Sequence, residues 1–118
     1  MKRSFLTVFI VLVIGCSKSV KAPEGILDKD EMISILLDIH IKEGQVQQLR
    51  VTRDSSTRVF KYFEREIFAK HEVSDSVYYN SLSFYYDHPE LMEEIYTAIV
   101  DSLSVQEQLI EGRTKEGN

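Results

Sequence analysis

Apolar residues that return every third or fourth position constrain this chain more than any other feature it carries. Met32, Ile35, Leu36, Ile39, Val46 and Leu49 fall on one side of a helix. Val59, Phe60, Phe63 and Ile67, with Phe68 beside them, repeat the pattern. Val77, Tyr78, Leu82 and Tyr85 make a third, shorter stripe, widened by Tyr79 and Tyr86 one position round. Leu91, Met92, Ile95, Tyr96, Ile99 and Leu103 make a fourth. At about 3.6 residues per turn, this spacing gives each segment one dry face and one wet face. No stretch shows the two-residue alternation of a half-buried strand. The fold class expected is all-α, a small bundle of about four helices.

The breaks between stripes carry helix signals. Asp28 can cap the first helix while Glu31, three residues on, reaches back as in a capping box. That helix should run to about Arg50. Gly44 inside it costs about 1 kcal/mol relative to alanine, which predicts a kink or a close neighbour. Asp54-Ser55-Ser56 reads as the cap of the second helix, which ends near Lys70-His71, where basic residues suit the carbonyl end. Ser74 or Asp75 opens the third. Asp87-His88-Pro89 closes it and opens the fourth: Pro89 suits the first helical position, and Asp87 or His88 is expected to supply the capping side chain. Glu90, Glu93 and Glu94 follow at the positive end of the helix. The pattern fades after Leu109-Ile110, so residues 28–112 form the helical domain and 113–118 a disordered tail. Short loops predict antiparallel neighbours.

Ahead of the domain, Met1-Lys2-Arg3 is a basic start, followed by an apolar run from Phe5 to Ile14 interrupted only by Thr7. A membrane-spanning helix needs about 20 apolar residues, twice this length, whereas the h-region of a secretory signal does not. The run ends in Val13-Ile14-Gly15-Cys16, which contains the sole cysteine of the chain. This tetrapeptide resembles the lipobox of bacterial lipoproteins. The resemblance implies removal of residues 1–15, a diacylglycerol in thioether linkage to Cys16, and an acyl chain on the new N-terminus. Several chains, at about 0.8 kcal/mol per buried methylene, anchor firmly where one would not. Residues 16–27 then read as a lipidated start and a flexible tether, ended by Pro23 and Gly25. A lone cysteine cannot close an intramolecular disulfide, so the domain must fold without one.

Loss of residues 1–15 leaves 103 residues carrying 12 basic and 19 acidic side chains, a formal charge of −7. One domain of this size is expected. Its acidity argues against nucleic acid as a partner, since phosphate contacts need clustered Lys and Arg. The absence of tryptophan leaves the aromatic share of the core to Tyr and Phe.

Met32 to His40, the block Ser81 to Leu91, the Ile95-Tyr96 step and the Pro23 lead-in resemble a family of short Bacteroidota lipoproteins catalogued as a domain of unknown function, number 4296. The resemblance covers most of the mature chain. It implies a helical fold and an envelope location, and it attaches no activity. Ser17, rather than aspartate, follows the cysteine, and Lys18 and Lys21 stand where surface-displayed lipoproteins of that phylum carry acidic residues. By analogy the anchor belongs in the inner leaflet of the outer membrane, with the domain facing the periplasm.

No residue is assigned to catalysis or to a metal, and no cofactor is expected apart from the lipid on Cys16. His40 and Glu43, three apart on the first helix, have the spacing of helical metal ligands. A site would need a third ligand, for which Asp87-His88 is the obvious source, whereas a polar helix edge needs nothing more. Tyr78, Tyr79, Tyr85 and Tyr86 recur in pairs two turns apart. A helix this short cannot bury all four, so one or two should be exposed as a contact surface, tyrosine being favoured at binding hot spots. Arg58, Lys61 and Arg65 make a basic stripe on helix two, opposed in sign to Glu90, Glu93, Glu94 and Asp101. Either these are two solvated faces or they steer a partner. The function expected is a membrane-anchored, non-enzymatic helical module that contacts another envelope protein or an exported chain. The alternatives are a small metal-dependent or acid–base enzyme using His40 and His88, and a purely structural envelope lipoprotein.

Overall fold

The computed structural model describes residues 21–117. The signal peptide expected at 1–15, the lipidation expected at Cys16 and the first residues of the expected tether lie outside the described residues. Four helices follow in order: α1, Lys29–Gln48; α2, Arg53–Lys70; α3, Asp75–Tyr86; and α4, Pro89–Glu116. The described residues contain no strand. The chain is an all-α bundle of four helices, as its periodicity predicts. None of the described helices is long and apolar enough to cross a membrane.

Local chemistry sets the boundaries. At α1 the capping box forms in both directions: Asp28 accepts from the Glu31 N–H at 2.9 Å, and Glu31 accepts from the Asp28 N–H at 2.9 Å. α2 begins before its Asp54-Ser55-Ser56 signal, because the Thr52 hydroxyl caps it, accepting from the Ser55 N–H at 3.3 Å. Asp54 then sits in the first turn, where a carboxylate suits the exposed N–H groups, and reaches Arg58 at 3.1 Å. Ser74, not Asp75, caps α3. α2 ends in a Schellman motif: the Val73 N–H donates to the Phe68 carbonyl at 2.9 Å and the Glu72 N–H to that of Ala69 at 3.2 Å. Glu72 takes the left-handed position, at φ 54°, that glycine usually fills.

Other expectations are corrected. Neither Asp87 nor His88 caps α4 with its side chain; Asp87 ends α3, and the His88 imidazole turns back to the Phe84 carbonyl. Pro89 at the first helical position leaves one fewer N–H to satisfy. Gly44 marks no close approach, since a Cβ built there would meet nothing within 4 Å. α4 continues through Gly112 to Glu116 instead of giving way to a disordered tail at 113. No proline interrupts it, and Arg113 and Lys115 lie in its last turn, where cations favour the helix.

α1 is central, packing against both α2 and α4, while α3 packs on α4. Met32 and Ile35 of α1 meet Ile95 and Ile99 of α4 at the fully buried centre of the core. Ile67 and Phe68 of α2, and Tyr78 and Tyr85 of α3, close it from the sides. Burying each such side chain contributes about 1.5–3 kcal/mol before the entropy of ordering is charged against it. Leu49, expected on the buried face of α1, lies past the end of that helix and is exposed.

Candidate interaction surface

Helical geometry divides the four tyrosines of α3 into two pairs. Tyr78 and Tyr85 point into the core, with 5% and 2% of their surface exposed. Tyr79 and Tyr86, one step round and also two turns apart, are 51% and 60% exposed. Tyr78 supports Tyr79. Tyr78 packs at 4.8 Å, ring centre to ring centre, on Phe68, and Tyr79 meets Tyr78 edge-on at 5.1 Å. The Tyr79 hydroxyl donates to Glu64 of α2 at 2.5 Å, which fixes the ring without covering it. Held by that carboxylate, the Tyr79 hydroxyl is pushed up to about 12. Burial, with Tyr79, Glu64, Tyr86 and Tyr96 nearby, pushes the Tyr78 hydroxyl well above its ordinary value. Tyr96 of α4 is raised by burial first, then by Tyr86 and Glu43. The Tyr96 ring centre lies 6.2 Å from that of His40 on α1.

Tyr85 is not available to a partner, because it holds the start of the domain. Its hydroxyl donates to the Leu27 carbonyl at 2.9 Å, and the Leu27 N–H donates to Ser81 Oγ at 2.9 Å. Ser81, fully buried, donates in turn to the Val77 carbonyl at 2.7 Å. Both backbone groups of Leu27 are thereby satisfied by side chains of α3, and Leu27 is buried. The expected tether of residues 16–27 therefore ends against the domain at Ile26 and Leu27 and does not run free to Asp28. Sequence reading missed Ser81, since its partner lies 54 residues away. A small polar residue inside an apolar stripe was the available signal.

The candidate ligands His40, Glu43 and His88 are not brought into one group. His40 Nδ1 pairs with Glu43 Oε2 at 3.1 Å, but His88 donates from Nδ1 to the Phe84 carbonyl of its own helical stretch at 2.7 Å. Among the described residues no group of three His, Cys, Asp or Glu is close enough to hold one ion. Asp38 does gather partners. It accepts from Lys70 at 2.7 Å and from His71 at 2.8 Å, both at the end of α2. Burial opposes ionisation of Asp38, but the hydrogen bonds and charges of Lys70 and His71 together outweigh it and hold the carboxyl below its usual range. This cluster ties α1 to α2. The acidic side chains of α4 and the basic stripe of α2 stay apart: Arg58 pairs with Asp54 on its own helix, and Glu94 pairs with Lys29 of α1.

A family model described as "Domain of unknown function (DUF4296)" matches residues 23–108, from the lead-in segment through the packed part of α4. No curated protein and no solved structure matches the chain.

Proposed function

The chain belongs to the family described as a domain of unknown function, DUF4296, and we propose that it works as a lipid-anchored, non-enzymatic contact module in the cell envelope. In this reading Cys16 carries the lipid and the domain faces the periplasm. The outward face of α3 engages another envelope protein or an exported chain.

The observation that carries the reading is the split of the tyrosine pairs. Tyr79 and Tyr86 present two large rings to solvent, and the Tyr79 ring is backed by the buried rings of Tyr78 and Phe68. A ring already held, as that of Tyr79 is by Glu64, loses little freedom on binding, and tyrosine offers apolar area with a hydroxyl at its edge. The bracketing of Leu27 by Ser81 and Tyr85 supports it from the other side, because chain arriving from an anchor would meet the helix that bears the surface.

Crosslinking in intact envelopes, followed by purification of the tagged full chain, tests this reading. A specific partner should be recovered with the wild-type chain and lost from both the Cys16→Ser form and a Tyr79→Ala, Tyr86→Ala form of unchanged helicity. Recovery of no specific protein, or equal recovery by the tyrosine variant, would leave only a structural role.

A further inference from the structure

We propose that the outward face of α3 takes a basic segment of its protein partner, whose cations lie on the rings of Tyr79 and Tyr86 and pair with Glu64 and Asp75. The proposal rests on the reading of that face as a contact surface and names the chemistry of what it contacts. Charge is divided unevenly along the sequence. From Ser17 to His71, ten basic and nine acidic side chains nearly cancel. From Glu72 to Gly112 there are nine acidic side chains and no lysine or arginine. That second stretch holds α3 and most of α4, so the helix that bears the exposed rings brings no cation to them. Elsewhere in the molecule a ring within reach of a cation receives it: Lys42 Nζ of α1 lies 4.7 Å from the ring centre of Phe63 on α2. The attraction is that of a positive charge for the negative face of the ring.

Rings and carboxylates share one strip. At about 100° per residue, Asp75, Tyr79 and Tyr86 fall within about 40° of one another on α3, and all three are exposed. Tyr79 and Tyr86 stand about 10 Å apart along the helix axis, so an extended segment of about four residues reaches both. Glu64 of α2 borders the strip, since its Oε1 accepts from the Tyr79 hydroxyl. A carboxylate can accept further hydrogen bonds, and the cations of Arg and Lys are donors only. Asp75 lies near enough to act on the same hydroxyl. A cation laid on Tyr79 therefore finds a ring face and two carboxylates together. An acidic segment would meet like charges there, and an apolar one would cover carboxylates without giving them a donor. A second copy of this chain fits poorly, because its basic stripe of Arg58, Lys61 and Arg65 is interleaved with Asp54, Glu64 and Glu66.

Peptide binding to the purified full chain in a neutral detergent tests the proposal. The probes are fluorescein-labelled nonapeptides with three arginines spaced by glycine and serine, and counterparts with glutamine, glutamate or leucine in place of arginine. Fluorescence anisotropy reads binding, and circular dichroism checks that each variant keeps its helices. The arginine peptide should bind about tenfold more tightly than the others at low salt, and less tightly as salt is raised. Tyr79→Ala with Tyr86→Ala should weaken it about fivefold, and Glu64→Gln with Asp75→Asn by a similar factor. Asp101→Asn with Glu107→Gln removes the same charge elsewhere on the acidic half and should change binding less than about twofold. Equal losses from both charge-removing pairs, or none from the tyrosine pair, would mean attraction to overall acidity and would overturn the proposal. A preference for the glutamate or leucine peptide that the tyrosine pair abolishes would overturn it too, while leaving the face a contact surface. So would a dimer of the chain, seen by sedimentation, that the tyrosine pair abolishes. Binding of no peptide would also overturn it, and crosslinking in intact envelopes then decides separately whether the face contacts a protein at all.

Discussion

Leu27 shows how single residues shape this domain. Its N–H and C=O are both taken up by α3 side chains at 2.9 Å, in a place where water does not reach. Removing either partner leaves a buried backbone group unsatisfied, at a cost of about 1–3 kcal/mol. Tyr85→Phe should therefore destabilise the domain by that amount in urea unfolding although it deletes one oxygen, and Ser81→Ala should do the same. Tyr79→Phe, which loses an exposed bond to Glu64, should change stability by less than about 0.5 kcal/mol. The sequence shows that four tyrosines recur two turns apart and that not all can be buried. It does not show which pair faces out, because that depends on Phe68 and Leu27 arriving from elsewhere in the chain. The tie from Asp38 to Lys70 and His71 was hidden for the same reason: it spans more than 30 residues.

Helices were the most legible scale, since caps and periodicity are local. The Asp28–Glu31 capping box, the Pro89 start and the end of α2 at Lys70 all follow from neighbouring residues. Boundaries are less legible where two local signals compete. Thr52 and Asp54 both suit a helix start, and the hydroxyl further upstream makes the cap. His88 can cap α4 or bond backwards, and the Phe84 carbonyl takes it. Gly44 offers a clean test at this scale. It lies inside α1 with open space where a side chain would be, so its only effect is on helix propensity. Gly44→Ala should stabilise the domain by about 1 kcal/mol, seen as a higher urea midpoint with an unchanged slope. An unchanged or lower midpoint would mean that the glycine serves a contact made outside this chain.

As a whole, the molecule is a small acidic bundle with its core at the α1–α4 crossing. One face of exposed rings lies on α3, and Val105, Leu109 and Ile110 stand exposed on the far half of α4. The core was foreseeable from the four stripes, because each helix must bury its dry face on another. The surfaces were less so, since a tyrosine or isoleucine in a stripe looks the same whether a neighbour covers it or not. The family's description names no activity, so the reading as a contact module rests on the outward tyrosines. A photocrosslinking phenylalanine analogue placed at Tyr79, at Tyr86 and, as a control, at Lys61 on α2 tests that claim most directly. Illumination of intact cells should join one and the same protein to the chain from positions 79 and 86 and not from 61. No adduct at 79 and 86, or the same adducts from all three positions, would contradict it.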